Sequence, residues 1–307
     1  MAEMFASGNG APRPERGSPR QVSVVIPVLN GAATLPFTLE SLARQTFTGE
    51  MEVVVADNGS TDGTPGLVAG WTDRLEALRV VAASTQRGRN HAANAGADAV
   101  RGDFIVFCDA DDVPDQKWVE EMAAAAGRAD LVGGRLEYSM LADPAKTDHA
   151  GAAILVDDLP KPLGFLPYAG GGNLGIWVDA FRHVGGFGGR YTSGAEDVDL
   201  CWRAQLAGYS LRFAPAAVVS YRPRARVRGV VKQAYRYGAT WPQLFRDYRN
   251  SGMRRRNVAF AILTWGWLLL ATPTLLLSRH RRVVWLRRAA QQYGRLVASI
   301  RYRVLFL

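Results

Sequence analysis

The sequence predicts an α/β protein built on a doubly wound, mostly parallel sheet. Two observations support this prediction. Short β-branched and aromatic runs alternate with longer stretches of helical apolar spacing through the first two hundred residues. Polar residues directly follow several of the apolar runs, and a parallel sheet would gather such residues along one edge. Alternation of this kind places helices on both faces of the sheet and ligands beyond the strand ends.

The elements can be assigned in order along the chain. Strands are predicted at four apolar runs: 22–27, 52–56, 78–82 and 103–108. Helices are predicted where apolar residues recur every three or four positions: 32–45, 90–100, a stretch starting near 178, and 196–206. Glycine-rich turns are predicted at 170–173 and 185–187, and one or two closing strands at 211–220. The stretch 131–168 shows no clear period.

Composition and charge divide the chain into two parts. With 307 residues, 48% hydrophobic and 21% charged, the chain is long and apolar enough to bury a core, which excludes a disordered protein. Residues 1–220 hold 18 Lys and Arg against 27 acids, a net charge of −9. Residues 221–307 hold 19 Lys and Arg against one acid, Asp247, a net charge of +18. Such a basic tail suits nucleic acid, anionic lipid or phosphorylated substrates.

Two smaller features concern the cysteines and the N-terminus. Cys108 and Cys201 lie in apolar surroundings, so we expect buried free thiols and no disulfide framework. Residues 1–20 are rich in Pro, Gly and Arg and lack the apolar core of a secretory signal, which predicts a flexible leader. The predicted domains are therefore 21–225, an α/β domain, and 226–307, a basic helical region.

The segment 258–277 contains twenty residues without a charge, and arginines flank it on both sides. Its length fits the hydrocarbon thickness of a bilayer, although Pro273 interrupts it. A single span, a re-entrant hairpin and an interfacial helix are all compatible with this pattern, and a buried core helix is the alternative without a membrane. We expect membrane contact through residues 254–288.

Acidic residues follow the strand predicted at 103–108. Two carboxylates separated by one residue, Asp109 and Asp111, can share a divalent cation with a diphosphate because such ions prefer hard oxygen ligands. An Asp-x-Asp triplet alone is a weak signal, since acidic runs also occur on solvated surfaces. The preceding apolar strand adds weight because it fixes the triplet at the ligand edge of the sheet.

Two further acidic segments stand out: one follows the apolar run 52–56, and the other begins the helix predicted at 196–206. Asp57 ends the second strand, where its carboxylate can accept a hydrogen bond from a nucleobase N–H; the neighbouring Thr61 or Asp62 can instead cap the next helix. Glu196, Asp197 and Asp199 begin a helix. The helix dipole accounts for one of these acids, and one that faces the cleft could remove a proton from an acceptor hydroxyl.

Taken together, these segments resemble the family-2 glycosyltransferases and their GT-A fold over about residues 20–240. The motifs that carry the resemblance are Val25–Asn30, Asp57, Gln86–Gly88 with Asn94–Gly96, Asp109–Asp112, Gly171–Asn173, Gly185–Phe187 and Glu196-Asp197. The resemblance implies an inverting enzyme that moves one sugar from a nucleotide-diphospho-sugar to an acceptor hydroxyl.

The resemblance also implies roles for particular residues. Asp197 would be the general base, with Glu196 beside it. Asp109 and Asp111 would hold Mg²⁺ or Mn²⁺. The positions that would bind the donor are Pro27, Asn30, Asp57, Gly88, Asn94, Asp109, Gly172 and Asn173.

Three departures from the family pattern qualify these roles. The family often has Arg at the position of Ala93, and many members have a metal-binding His where this chain has Tyr221. A phenol is a poor substitute for an imidazole, so either carboxylates, phosphates and water hold the ion, or Arg222 or Arg224 supplies positive charge. The Gln-x-x-Arg-Trp signature of processive synthases is absent, because 233–238 lacks the Trp. This absence favours transfer of a single sugar.

Two other functions are compatible with parts of the sequence. A catalytically silent sugar-binding relative would keep the same motifs. A nucleic-acid-binding protein would use the basic tail with its aromatics Tyr235, Tyr237 and Trp241, but the uncharged segment suits lipid better, so no nucleic acid is expected. We predict a glycan or lipid-linked acceptor of the cell envelope and a location at the cytoplasmic face of the cell membrane.

Overall fold

The structure is a computed structural model that describes residues 16–138, 141, 158–192, 194–224, 226–276 and 278–306. Residues 1–15 of the predicted leader lie outside this range, as does most of the stretch 139–157. The last leader residues are described: the Arg16 guanidinium pairs with Asp130 and Asp179 at 2.7 and 2.8 Å.

The described residues form strands and helices in alternation. The strands are β1 (Gln21–Val28), β2 (Glu50–Asp57), β3 (Leu78–Ala82), β4 (Phe104–Cys108), β5 (Val113–Pro114), β6 (Leu131–Glu137), β7 (Asn173–Trp177) and β8 (Leu211–Ser220). The helices are α1 (Leu35–Leu42), α2 (Thr64–Ala69), α3 (Arg89–Asp98), α4 (Trp118–Ala126), α5 (Val178–His183), α6 (Glu196–Leu206), α7 (Val227–Tyr248), α8 (Val258–Leu270) and α9 (Arg279–Tyr302).

All eight strands belong to one sheet in the order β3-β2-β1-β4-β7-β6-β8-β5. β1 to β4 pair in parallel, as the alternation predicts. The remaining strands form a mixed sheet, because β7 runs antiparallel to both β4 and β6, and β5 runs antiparallel to β8. β6 pairs with β8 in parallel. The expectation of a mostly parallel sheet is therefore confirmed for the first half, whereas the second half mixes parallel and antiparallel pairs.

Most of the first half was predictable because three of its strands, β1, β2 and β4, are buried on both faces. β1, β2 and β4 are near-continuous runs of Val, Ile and Phe, and their central residues are fully buried. The predicted apolar face of α1 also packs into this core through Leu35, Leu39 and Leu42. Cys108 and Cys201 are buried free thiols, as expected.

β6 and β7 were not predicted, because glycines take the place of the apolar residues that signal a strand. A Cβ at Gly133 would lie 2.6 Å from side-chain atoms of Ala169 and Leu159. Glycine is required there so that the loop before β7 can cross the strand closely. β7 itself begins inside the segment that we interpreted as a glycine-rich turn.

The C-terminal helices pack onto the α/β domain. The Tyr248 hydroxyl, at the end of α7, donates a 2.6 Å hydrogen bond to the Asp199 carboxylate on α6. α9 packs along α7, where Gly238 and Gly294 allow the two backbones to approach closely. The basic tail is thus joined to the same core region as the start of α6.

The uncharged segment predicted at 258–277 does not form one continuous helix. α8 has thirteen residues, about 20 Å at 1.5 Å per residue, whereas a bilayer core is about 30 Å thick. Pro273 lies in the 3-10 turn Thr272–Leu276 that follows. In the described part of the chain, no helix is both long and apolar enough to cross a membrane. α8 is not a buried core helix either, since Leu263 is 71% and Leu270 84% exposed.

Candidate active site

The carboxyl ends of β1 and β2 carry two of the predicted donor-binding residues. Asn30 has a left-handed backbone (φ 56°); its N–H donates to Ser60 Oγ at 2.8 Å, and its Oδ1 accepts from the Thr61 N–H at 2.8 Å. The Asp57 carboxylate accepts from the N–H groups of Gly59 and Ser60 at 3.2–3.3 Å. These bonds hold Asp57 at the strand end with acceptor capacity to spare.

Asp62 lies just before α2, whose N-cap position is Gly63 and has no side-chain cap. The Asp62 carboxylate accepts from the Thr64 N–H and from the Thr64 hydroxyl, in the first residue of α2. The hydroxyl bond is the largest cause of the lowered pKa of Asp62. Asp62 therefore holds the start of α2 from one residue before the N-cap, and Asp57 takes no part in these bonds.

Asn58 fixes the loop that leads into α3. Its side-chain amide donates to the Gln86 carbonyl at 2.8 Å, and its Oδ1 accepts from the Gly88 N–H at 2.8 Å. Gly88 has φ 141°, a conformation that other residues rarely adopt. Sequence reasoning missed this role of Asn58. Pro27, by contrast, lies buried inside β1 beside Ala56 of β2 and away from the loop.

Arg89, the first residue of α3, is the main site residue that sequence reasoning missed. It lies among Asp109, Gly171 and Glu196, and the space bordered by these residues and Asp197 is called the cleft below. Its guanidinium donates twice to Asp109 Oδ1, from Nε at 2.9 Å and from Nη2 at 2.7 Å, and Nη2 also donates to the Gly171 carbonyl at 2.9 Å. Nη1 lies 3.8 Å from Glu196 Oε1. Among the described residues, this buried Nη1 has no hydrogen-bond partner.

The surroundings of Arg89 explain its charge state. Burial alone would lower the pKa of Arg89, but Asp109 and Glu196 raise it above its ordinary value. Ala93, one helical turn further along α3, is fully buried in the core. Arg89 therefore carries a positive charge at the start of α3, one helical turn before the buried Ala93.

The acidic turn after β4 concentrates like charge. Asp112 is 1% exposed, and its carboxylate accepts from the Arg222 N–H at 2.9 Å. Burial, followed by the nearby Asp109, raises the pKa of Asp112 to about 8. The same two causes raise the pKa of Asp111, whose Oδ2 lies 3.6 Å from Arg224 Nη1. Carboxylates held this close to one another favour a cationic ligand.

The start of α6 presents two carboxylates to the same cleft. Asp197 Oδ2 accepts from the Gly171 N–H at 2.9 Å, and Oδ1 accepts from the Val198 N–H at 2.8 Å. Burial raises the pKa of Asp197. Burial and then the charge of Asp197 raise the pKa of Glu196 to about 7. The preceding Ala195 has a left-handed backbone (φ 66°), a strained conformation for a residue with a side chain.

Asp199, the third acid of this run, has a structural role. One of its carboxylate oxygens accepts from Arg203 Nε at 2.8 Å, and the other accepts from Tyr248. It is buried in the packing of α6 against α7. Only Glu196 and Asp197 thus remain beside the cleft.

Three other predicted donor-binding residues support the cleft from within the protein. Gly172 lets the β7 turn approach the acidic turn, because a Cβ there would lie 3.0 Å from an Asp109 carboxylate oxygen. Asn173 is fully buried; it accepts from Trp118 Nε1 and donates to two backbone carbonyls. Asn94 exchanges two 2.9 Å hydrogen bonds with the backbone of Phe187.

Aromatic side chains surround the position where the family often has its His. The Tyr221 ring lies 5.0 Å from that of Tyr138, and Gln233 on α7 donates to the hydroxyls of Tyr221 and Tyr237 at 3.3 and 3.1 Å. Burial and then the Tyr221 hydroxyl raise the pKa of Tyr138 to about 12. Burial also raises the pKa of Tyr221. These phenols are therefore neutral near pH 7.

The carboxylates of the cleft fit a metal only with help from a substrate. Across the described residues, no group of three or more His, Cys, Asp or Glu side chains could hold an ion by itself. Asp109 and Asp111 offer hard oxygen atoms, and the repulsion that raises the pKa of Asp111 would be relieved by a cation. The residues present therefore fit an ion that a diphosphate shares.

The fold and this cleft define the class of the protein, a glycosyltransferase. The chain matches the model of glycosyl transferase family 2 over residues 23–183 and that of glycosyl transferase family group 2 over residues 104–290. Glycosyltransferase AglE from Haloferax volcanii is 30% identical over 302 residues, which cover 91% of this chain and 96% of that protein. The chain belongs to glycosyltransferase family 2.

Another relative and two solved structures agree with this assignment. A pre-mycofactocin glycosyltransferase from Mycobacterium tuberculosis is 31% identical over 245 residues. These residues cover 75% of this chain but only 48% of that protein. One solved structure is the mannosyltransferase PcManGT from Pyrobaculum calidifontis in complex with GDP-Man and Mn²⁺. It matches with a TM-score of 0.62 and 21% sequence identity, and the match covers 94% of this chain and 89% of that chain. S. aureus TarS 1–349 with UDP matches with a TM-score of 0.53 and 17% identity over 92% and 91%. The fold is thus of the GT-A type.

Proposed function

We propose that this protein transfers a single hexose from a nucleotide-diphospho-sugar to an acceptor hydroxyl, with inversion at the anomeric carbon. The backbone of Gly171 carries the proposal. Its carbonyl accepts from Arg89, which pairs with Asp109, and its N–H donates to Asp197. The backbone of one residue therefore links Arg89 at the acidic turn to the proposed base. A donor diphosphate at the turn would bring its anomeric carbon close to Asp197.

The donor side of the proposal rests on Asp57 and the acidic turn. Asp57 would accept a hydrogen bond from the donor base, as its free acceptor capacity allows. GDP-Man and Mn²⁺ in PcManGT, and UDP in TarS, support a nucleotide donor. Mg²⁺ or Mn²⁺, when bound, would neutralise the leaving diphosphate, and Asp109 and Asp111 would hold it. Arg89 would orient Asp109 and contribute positive charge beside the phosphates.

The acceptor side rests on Asp197. The acceptor oxygen forms a bond to the anomeric carbon while the bond from that carbon to the diphosphate oxygen breaks, and the acceptor proton passes to the Asp197 carboxylate. The raised pKa of Asp197 suits this step because a more basic carboxylate takes up the proton more readily. The two backbone hydrogen bonds fix its orientation. Glu196, next to Asp197 in the sequence, would be a positioning residue, because its carboxylate lies 3.8 Å from the Arg89 guanidinium and would help to hold it in place.

The acceptor and location belong to the same proposal. We infer a lipid-linked or cell-envelope glycan acceptor, and peripheral contact with the cytoplasmic face of the membrane through residues 254–288. Support comes from the exposed apolar residues of α8 between two arginine clusters. A cavity of about 400 Å³ is lined by Arg224, Arg226, Arg228 and Lys232. Because Arg224 also lies 3.6 Å from Asp111, this cavity is near the acidic turn and would favour anionic substrates.

The proposal is tested by donor binding followed by product analysis. The thermal midpoint of the protein is measured with a panel of UDP- and GDP-sugars, with Mn²⁺ or with EDTA. We expect one nucleotide class to stabilise the protein and EDTA to remove the effect. NMR of the transfer product should show the anomeric configuration opposite to that of the donor. Retention of configuration would contradict the mechanism, and donor binding without any turnover would support a silent relative.

A further inference from the structure

Two arginines follow β8, and the structure gives them different surroundings. Arg222 donates from its N–H to the Asp112 carboxylate at 2.9 Å and from Nε to the Asp111 carbonyl at 3.0 Å. Its guanidinium also lies 5.6 Å from the centre of the Phe37 ring on α1. Arg224, by contrast, places Nη1 3.6 Å from the Asp111 carboxylate oxygen Oδ2. Arg222 therefore holds the backbone of the acidic turn, whereas Arg224 faces a carboxylate that is proposed to hold the metal.

The start of α7 sets the position of Arg224. The residue precedes this helix by three positions and lies across its first turn, since a Cβ at Gly229 would be 3.6 Å from the Arg224 Cβ. Its side chain is 56% exposed. It lines the cavity of about 400 Å³ at this end of α7. The Arg224 guanidinium therefore borders both an open cavity and the acidic turn, where a ligand that enters from solvent can reach it.

A diphosphate that leaves a sugar gains negative charge. As the bond from the anomeric carbon to the oxygen of the sugar-bearing phosphate breaks, its electron pair stays on that oxygen, and no proton moves to the phosphate. A guanidinium stabilises such charge because it stays protonated and donates parallel N–H bonds to phosphate oxygen atoms. Positive charge fixed where negative charge develops lowers the barrier. Phosphate oxygens that share an ion with Asp111 would lie beside the Arg224 guanidinium.

We propose that Arg224 is a further catalytic residue, which binds the sugar-bearing phosphate of the donor and stabilises the diphosphate as it leaves. The inference rests on the proposed transfer reaction and adds a residue to its donor side. Arg89 pairs with Asp109 and Arg224 with Asp111, so each of the two proposed metal-binding carboxylates has an arginine beside it. Arg222 would keep the acidic turn in shape while Arg224 contacts the substrate.

The test compares nucleotides with and without the second phosphate, on the full chain. Arg224→Gln removes the guanidinium charge. Arg236→Gln is the matched control, because it removes the same charge from an exposed position further along α7, outside the lining of the cavity. Affinities for UDP, UMP, GDP and GMP are measured by calorimetric titration in the presence of Mn²⁺. Thermal midpoints confirm that each variant is folded.

We expect Arg224→Gln to bind the preferred nucleoside diphosphate about tenfold more weakly than the wild type, the loss of one charge-assisted contact to phosphate. Its affinity for the matching monophosphate should change little, and Arg236→Gln should bind both nucleotides as the wild type does. An equal loss for the diphosphate and the monophosphate would overturn the proposal, because Arg224 would then not act on the sugar-bearing phosphate. An equal loss in Arg236→Gln would overturn it as well, because the general positive charge of α7 would then suffice.

The same titrations separate this inference from the proposed function. Diphosphate binding by the wild type that stays unchanged in Arg224→Gln would overturn the role of Arg224 and leave the proposed transfer reaction intact. A wild type that bound neither UDP nor GDP in the presence of Mn²⁺ would contradict the proposed function itself, and the inference with it.

Discussion

Two regions of this chain concentrate charge of one sign, and they do so differently. The cleft gathers carboxylates from the ends of β4 and the start of α6, with Arg89 between Asp109 and Glu196. The cavity of about 390 Å³ between α8 and α9 is lined by Arg256, Arg288 and Arg295, and none of the described residues that line it is acidic. Like charges held together cost free energy unless opposite charge compensates them, as Arg89 does for Asp109 in the cleft. The two regions therefore suit the two parts of the proposed function: the cleft suits a cation shared with a diphosphate, and the basic C-terminal region suits an anionic membrane surface.

The largest expected effect comes from Asp197→Asn, which keeps the shape of the side chain and removes its basicity. We expect transfer to fall by roughly 10²- to 10⁴-fold, the usual contribution of a positioned general base, while donor affinity stays near the wild-type value. Single-turnover kinetics and calorimetry measure the two quantities. Asp199→Asn is the comparison variant, because Asp199 bonds Arg203 and Tyr248 away from the cleft. Full turnover by Asp197→Asn would remove the base assignment.

Asp111→Ala should affect the cleft and leave the proposed membrane contact unchanged. Loss of one proposed metal-binding oxygen should weaken Mn²⁺-dependent donor binding by at least about tenfold, with vesicle binding as in the wild type. Leu263→Asp with Leu270→Asp should show the opposite pattern, because it places charge on the exposed apolar residues of α8. Calorimetric titration of the donor and vesicle co-sedimentation, performed on both proteins, would separate the two regions. If either variant changed both properties, the two sites would not be independent.

Arg89→Gln should move the pH dependence of transfer. Activity requires the deprotonated form of Asp197, so activity is lost as the pH falls through the pKa of that carboxylate. Burial raises this pKa, whereas the charge of Arg89 lowers it. Removal of that charge should therefore shift the acid limb of the profile of kcat/KM against pH to higher pH. Arg101→Gln serves as the control, because Arg101 is exposed before β4, at the end opposite the acidic turn. An acid limb at the same pH in Arg89→Gln as in the wild type would contradict the proposed effect of Arg89 on the pKa of Asp197.

The smallest effect on the cleft should come from Asn173→Ala, although that change should destabilise the fold. The substitution leaves the Trp118 indole N–H and two backbone carbonyls without their partner, which should lower the free energy of unfolding by about 3 kcal/mol. Donor affinity of the folded protein should change little. Urea unfolding together with donor titration tests both points. A large loss of affinity at unchanged stability would favour the donor-binding role expected from sequence.

These comparisons also show what the sequence could predict. The strands β1, β2 and β4 and the polar residues that follow them were predictable, because buried parallel strands are continuous apolar runs and their polar ends stand out. β6 was hidden by Gly133, which the crossing loop requires. Arg89 was missed because a single arginine beside a glycine carries no pattern. Its importance depends on Asp109 and Glu196, which are 20 and 107 positions away in the sequence.

The tail shows the opposite limitation of sequence reasoning. A charge-free stretch of twenty residues predicted enough length for a bilayer span, but Pro273 and the turn around it leave α8 with thirteen residues. Hydropathy reported the apolar character correctly. The cavity between α8 and α9 depends on how the two helices pack, which residue spacing within one helix cannot reveal.

The central claim is that one donor lies between the acidic turn and Asp197, which the backbone of Gly171 links. A crystal structure of Asp197→Asn with a nucleotide-sugar and Mn²⁺ tests it most directly. We predict that the diphosphate lies beside Asp109 and Asp111 and that the anomeric carbon faces residue 197. A donor bound away from the acidic turn, or one whose anomeric carbon points away from residue 197, would contradict the account.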